Sequence, residues 1–171
     1  MRDAATEANP GRDLAETGSG WTPARIYLAG AGVYLVVVGA VGFLYDASFP
    51  VGAEEAARAG SDHVFGVFET NGWHNLAGLV FGVIALLFLT RPRDAVLGAL
   101  VVGVPNAATF VAFLVEEPTT FWFASNGADA VAHAALGFGG IVAALLSRGA
   151  AGRATPPSRA AGLSPEERRP S

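Results

Sequence analysis

Four long apolar stretches, separated by short polar segments, dominate the pattern of hydrophobic and polar positions along the chain. They cover residues 26–45, 73–90, 95–115 and 128–147. A helix needs roughly 20 mainly apolar residues to cross about 30 Å of hydrocarbon. Each stretch is about that long, and none contains lysine or arginine. The pattern predicts an all-α membrane protein with a four-helix bundle as its transmembrane domain, over residues 25–147.

The segments that flank this domain differ from it in composition. Residues 1–24 are mainly polar, and residues 148–171 are rich in proline, serine and charge, so we expect two disordered tails. The first apolar stretch is longer than the core of a cleavable signal peptide, and an acidic leader precedes it. We therefore expect it to remain in the protein as a helix.

The overall composition agrees with a membrane protein and excludes several other classes. Charged residues make up 15% of the 171 residues, and apolar residues make up 51%, whereas a soluble domain has about 25% charged residues. The absence of cysteine excludes disulfides, thiolate metal sites and thiol catalysis. The net charge of −4 gives no reason to expect nucleic-acid binding. The expected environment is a lipid bilayer, and a second copy or another membrane protein are the open partner types.

The arginines predict an orientation. Ten of the eleven precede the first stretch, follow the fourth or lie between the second and third, while loops 46–72 and 116–127 carry only Arg58 against seven acids. Positive charge stays on the cytoplasmic side, so we expect a multi-pass protein of the cell (inner) membrane with cytoplasmic N- and C-termini. Aromatic residues near the ends of the stretches fit interfacial belts: Trp21, Tyr27, Tyr45, Trp73 and Trp122.

The chain also resembles itself at an offset of 55 residues. The segment Phe68–His74 aligns with Phe123–Asp129, and Gly82 matches Gly137 at the same offset. The first two and the last two helices are therefore predicted to be parallel hairpin repeats, related by a pseudo-two-fold axis along the membrane normal.

The second helix of each hairpin has one face that carries polar residues at its outer end and small residues further in. Spacings of three and four place these residues together. Small residues allow another helix to approach closely, and polar side chains are costly in lipid. We therefore expect both faces to point inward and to meet each other. The two sets are Asn71, His74, Gly78, Gly82 and Ala85, and Asn126, Asp129, His133, Gly137 and Gly140.

The polar residues of these faces form a candidate cluster with two neighbours. Asn75 follows His74, and Asn106 lies beside Pro105, which should kink the third helix. Asn106 then needs an interhelical partner or a freed carbonyl. Asp129 and His133 are one helical turn apart and can pair directly.

Two interpretations of this cluster stay open. In the structural one, Asn71 and Asn126 cap helices, Asp129 complements a helix dipole, and the polar groups hold helices together. In the functional one, His74, Asp129 and His133 bind a quinone head group or relay a proton. A haem between the two histidines and a His/Asp metal site are further alternatives.

No phosphate loop, dinucleotide fingerprint or nucleophile elbow is present. We therefore assign no catalytic residue, metal or cofactor. The leading hypothesis is a non-enzymatic structural or accessory bundle, and the alternative is a redox-accessory or transport protein with a small-molecule or proton site.

Two motifs resemble those of a bacterial and archaeal membrane family, Domain of Unknown Function 4383. They are Asn71-Gly-Trp-His74-Asn75 and Asn126-Gly-Ala-Asp129-Ala-Val-Ala-His133. The resemblance implies a four-helix membrane fold over about residues 25–147 and no established activity. Gly78 and Ala130 stand where the family often has histidine and asparagine, and these departures favour the structural interpretation.

Overall fold

The computed structural model describes residues 20–52, 55, 63–115 and 125–154, with the backbone alone at 92 and 150–154. Four of its helices are long and apolar enough to cross a membrane, which identifies a multi-pass membrane protein. The elements in chain order are α1 (Pro23–Gly42), β1 (His63–Val64), β2 (Phe68–Glu69), α2 (Gly72–Leu89), a 3₁₀ turn (Pro92–Asp94), α3 (Ala95–Val115) and α4 (Gly127–Ala154).

Local capping explains where α1 begins. The Thr22 hydroxyl accepts a hydrogen bond from Arg25 N at 3.3 Å, and proline occupies the first helical position, which suits its missing N–H. The helix therefore starts before the predicted residue 26, and it ends at Gly42 instead of at 45. At the other end of the chain, α4 continues past 147 to Ala154. The predicted tails fall mainly on residues 1–19 and 155–171, outside the described residues.

The helices pack most closely as two hairpins, α1 with α2 and α3 with α4. Helix α1 also contacts α3 and α4, and α2 contacts α3, whereas α2 and α4 lie further apart across the bundle. We call the end with β1 and β2 the hairpin end. The opposite end, where Arg25, Arg91, Arg93 and Arg148 lie, is the arginine end.

The small residues of α2 and α4 make close contact within each hairpin. A Cβ atom at Gly82 would lie 2.7 Å from Val36 N of α1, and one at Gly137 would overlap the Ala107 backbone of α3. Gly78 and Gly140 likewise face the backbones of α1 and α3. The prediction that the small residues of α2 and α4 face each other is therefore wrong, because each glycine face packs against its own hairpin partner.

The arginine end contains most of the buried apolar core. Alanine and leucine side chains of all four helices meet there, and Ser147 Oγ accepts a hydrogen bond from Ala24 N at 2.9 Å. Tyr27 points towards α4, where its hydroxyl donates to Leu136 O at 2.8 Å, so it joins two helices. The outer faces remain apolar and exposed, as lipid-facing surfaces are: Val33, Val37, Val80, Val83, Leu87, Leu97, Val104, Val111, Val131, Val142 and Leu145.

A short antiparallel hairpin covers the other end. His63 pairs with Glu69 and Val64 with Phe68. The turn places Phe65 and Gly66 at positive φ angles of 53° and 71°. Two-residue strands are too short to show the alternation by which a strand is recognised in sequence, so this hairpin was not predicted. Val64 is fully buried, which fixes the hairpin against the bundle.

Candidate functional site

One asparagine caps the start of the second helix in each hairpin, Asn71 in α2 and Asn126 in α4. Asn71 Oδ1 accepts a hydrogen bond from His74 N at 3.0 Å. Asn126 Oδ1 accepts from Ala128 N and Asp129 N at 2.9 and 3.0 Å. Asp129 Oδ2 accepts in return from Asn126 N at 3.0 Å, which completes a reciprocal capping box. Both asparagines thus satisfy backbone donors that a helix start leaves unpaired.

The same two residues of α4 bind the β-hairpin. Asp129 Oδ2 accepts a second hydrogen bond, from Glu69 N at 3.1 Å. Asn126 Nδ2 donates to Val67 O at 2.8 Å. The start of α4 therefore holds the hairpin through two bonds to the main chain, about 60 residues away in sequence.

Asn75 joins α2 to the end of α1. Its Nδ2 donates to Asp46 O at 2.8 Å, and its Oδ1 accepts from the Thr70 hydroxyl. The amide is 3% exposed, and it packs so closely on Gly42 that a Cβ atom there would overlap it. Asn75 is thus a buried polar residue whose donor and acceptor are both used.

His133 and Asn106 connect α4 to α3. His133 Nδ1 lies 2.8 Å from Asn106 Oδ1, and Asn106 Nδ2 donates to Val102 O at 2.8 Å. The second bond sets the orientation of the amide, so its oxygen faces the histidine. Since an amide oxygen can only accept, His133 Nδ1 carries a proton and donates it. In the neutral ring the acceptor is then Nε2.

The histidines provide a contact between α2 and α4 at the hairpin end. The rings of His74 and His133 stack with centroids 5.7 Å apart and planes inclined by 17°. The predicted Asp129–His133 pair does not form, because Asp129 bonds to backbone amides and His133 to Asn106. The polar ends of the two helices meet although their glycine faces do not.

A cavity of about 110 Å³ lies beneath the β-hairpin, among all four helices. Five of the predicted cluster residues line it, namely His74, Asn75, Asn106, Asp129 and His133. Asn71 and Asn126 cap helices and do not line it. The walls further in are apolar, and the complete lining is Tyr34, Leu35, Val38, Gly39, Val64, Phe68, Glu69, Thr70, His74, Asn75, Ala77, Gly78, Phe81, Pro105, Asn106, Thr109, Asp129, Ala132, His133 and Leu136.

Several polar lining residues were not predicted. Tyr34 is a polar position within an apolar stretch, a signal that the sequence did offer. Thr109 lies one turn after Pro105 and donates to Pro105 O at 3.0 Å. Glu69 and Thr70 belong to the segment around the unpredicted hairpin, so nothing in their spacing linked them to the helices.

The geometry does not fit two of the earlier alternatives. The stacked histidine rings lie side by side, so they cannot present nitrogens to opposite faces of one haem iron. A porphyrin is also several times larger than benzene, which an engineered cavity of roughly 150 Å³ holds. Among the described residues, no group of three or more His, Cys, Asp or Glu side chains is arranged to hold a metal ion.

Fold and site together define a small multi-pass membrane protein whose four helices enclose a cavity that is polar at one end. Residues 25–146 match the family described as Domain of unknown function (DUF4383), and the chain belongs to that family. The match confirms the resemblance noted from the two motifs. No curated protein and no solved structure matches the chain.

Proposed function

We propose that this protein is a non-enzymatic accessory protein of the cell membrane, whose polar residues mainly fasten the hairpin end of the bundle. The observation that carries the proposal is the bonding of Asp129. Its Oδ2 accepts from Asn126 N and from Glu69 N, so the carboxylate serves the backbone of two elements. Asn75 and Asn126 also bond to main-chain atoms, and buried polar groups used in this way are typical of structural roles.

We also propose that the two hairpins arose by duplication. The matched caps support this origin, since Asn71 receives the amide of His74 and Asn126 receives the amide of Asp129, at the same offset of 55 residues. The glycines at 82 and 137 each face the backbone of their own hairpin partner. On the arginine rule, the arginine end and both termini lie in the cytoplasm.

Replacement of Asp129 tests the structural role. Asp129→Ala removes both acceptor contacts, and we expect the free energy of unfolding to fall by about 2–3 kcal/mol, since two partly buried amides lose their partner. Asp129→Asn keeps one oxygen and should lose less. The measurement is denaturant unfolding of the purified protein in detergent.

Asp94→Ala is the control, because Asp94 is exposed in the turn between α2 and α3. Equal stability of the Asp129 and Asp94 variants would contradict the fastening role. An absorption spectrum and metal analysis of the same preparations test the non-enzymatic assignment. A Soret band or a stoichiometric metal would overturn it.

The second candidate function is a redox-accessory or transport protein with a small-molecule site. The cavity supports it, because His74, Asp129 and His133 all line an internal space. Replacement of His133 by leucine separates the two functions. A loss of stability alone indicates a structural residue, and a loss of ligand binding at unchanged stability indicates a site.

A further inference from the structure

We propose that the cavity binds one aromatic ring that carries a hydroxyl group, such as a phenol, a hydroquinone or a larger molecule with such a head group. The proposal rests on the second candidate function and specifies its ligand. It does not depend on the fastening role of Asp129 towards the backbone. Size, wall chemistry and hydrogen-bonding capacity each lead to this ligand class.

The size of the cavity limits the ligand to about one ring. Its volume is about 110 Å³, and an engineered cavity of roughly 150 Å³ holds benzene. The walls away from the hairpin end are apolar, with Leu35, Val38, Phe81 and Leu136 among them. A space that is apolar on most sides and polar at one end fits a compact molecule with a single polar group.

The hydrogen bonds already present restrict what that polar group can be. The donors of Thr70, Asn75 and Asn106 are directed to partners within the protein. The Thr109 hydroxyl and His133 Nδ1 are used in the same way. Five lining side chains thus donate internally.

The complementary groups in the lining are acceptors. They are the carboxylate of Asp129 and, in the neutral ring, His133 Nε2. The Tyr34 hydroxyl and the His74 ring also line the cavity, so a ligand hydroxyl, which can both donate and accept, matches the lining better than a ketone or ether, which only accepts. An ammonium group also donates and could pair with Asp129, but it loses more hydration than a hydroxyl on entering the cavity and has three N–H groups to satisfy.

The test uses three probes of similar size: 4-methylphenol, toluene and benzylamine. The chain has three histidines, so full-length protein labelled with ¹⁵N-histidine in lipid nanodiscs gives a simple spectrum. His133→Asn identifies the His133 signals by their loss. We expect 4-methylphenol to shift His133 Nε2 saturably and to bind at least tenfold more tightly than toluene or benzylamine, because one buried hydrogen bond contributes about that factor.

Two alanines of α4 give a matched pair of variants. Ala132 lines the cavity, whereas Ala135 is exposed on the outer face of the same helix. Ala132→Leu fills the space and should weaken 4-methylphenol binding at least tenfold, and Ala135→Leu should leave it unchanged. Because both variants add the same side chain, partition of the probe into lipid is equal in the two samples.

His133→Asn provides a second variant that does not fill the cavity. Asparagine can keep a donor near Asn106 but lacks Nε2, so the preference for 4-methylphenol over toluene should disappear. The proposal is overturned if wild-type protein shows no saturable shift, if either control probe binds as tightly as 4-methylphenol, or if Ala132→Leu binds like wild type. Unfolding measurements without probe report separately on the fastening role.

Discussion

At the scale of single residues, the hydrogen-bond partner separates side chains that the sequence placed in one group. Asn71, Asn75, Asn106 and Asn126 all looked like members of one polar cluster. In the structure two of them cap helices, Asn75 joins loop and helix, and Asn106 orients His133. All four have the same chemical type, and the sequence already indicated that Asn71 and Asn126 cap helices. Only the tertiary structure gives the partners of Asn75 and Asn106.

Truncation of the Asn75 side chain tests its joining role. In Asn75→Ala the Thr70 hydroxyl and Asp46 O both lose a buried partner, and a space opens beside Gly42. We expect the free energy of unfolding to fall by about 2–3 kcal/mol, as measured by reversible denaturant unfolding in detergent. Leu76→Ala is the control, since Leu76 is 42% exposed on the outer face. An equal loss in the two variants would refute the joining role of Asn75.

At the scale of elements, close backbone contact within each hairpin determines how the helices pair. Gly32, Gly39, Gly78 and Gly82 lie between α1 and α2, and Gly103, Gly137 and Gly140 lie between α3 and α4. Lipid is itself apolar, so the hydrophobic effect does not bring helices together within it. Tight van der Waals contact between small residues stabilises their association instead. Because each helix packs against its own hairpin partner, α2 and α4 contact each other only through their polar residues at the hairpin end. A cavity remains between the helices further in.

Two neighbouring glycines of α4 test this pairing. A Cβ atom at Gly137 would overlap the Ala107 backbone, whereas at Gly139 it would lie 3.7 Å from the Tyr27 ring, an ordinary contact. Gly137→Ala should lower the free energy of unfolding by about 1–3 kcal/mol through overpacking. Gly139→Ala should be neutral or stabilising by up to about 1 kcal/mol, because alanine favours helix. The measurement is thermal unfolding of both variants in the same detergent. Equal changes in stability would argue against backbone contact at Gly137.

At the scale of the whole molecule, the separation of charges defines two different ends. Described arginines at the starts and ends of helices gather at one end, and the β-hairpin with Glu69 occupies the other, together with Asp46 and Asp129. The orientation proposed above rests on this separation, because arginine-rich segments stay on the cytoplasmic side of membranes.

Reporter fusions test the proposed orientation. Alkaline phosphatase is active only outside the cytoplasm, so a fusion after Arg148 should be inactive and one within loop 116–127 should be active. A fusion between Arg91 and Arg93 should be inactive as well. The reverse pattern of activities would overturn the orientation without affecting the fold.

Much of the fold could be predicted because the insertion of a helix in a bilayer depends on the summed hydropathy of one continuous segment. Residues 73–90 and 95–115 are apolar enough to span by themselves, and the helices observed there end within a residue of those limits. The caps at Asn71 and Asn126 could also be predicted from the sequence, since a cap involves residues only two or three apart. The hairpin at 63–69 could not be predicted, because its stability comes from Asp129 and Asn126 in a distant helix.

The sequence by itself thus determined four spans, the family and five of the polar residues that line the cavity. The tertiary structure alone decided that the glycine faces pack within hairpins, that His133 bonds to Asn106 instead of Asp129, and that a cavity lies beneath the β-hairpin. The physical reason is the range of the interactions. Hydropathy and capping act over one helix or one turn, whereas backbone contact, ring stacking and enclosed volume depend on how separate helices are placed together.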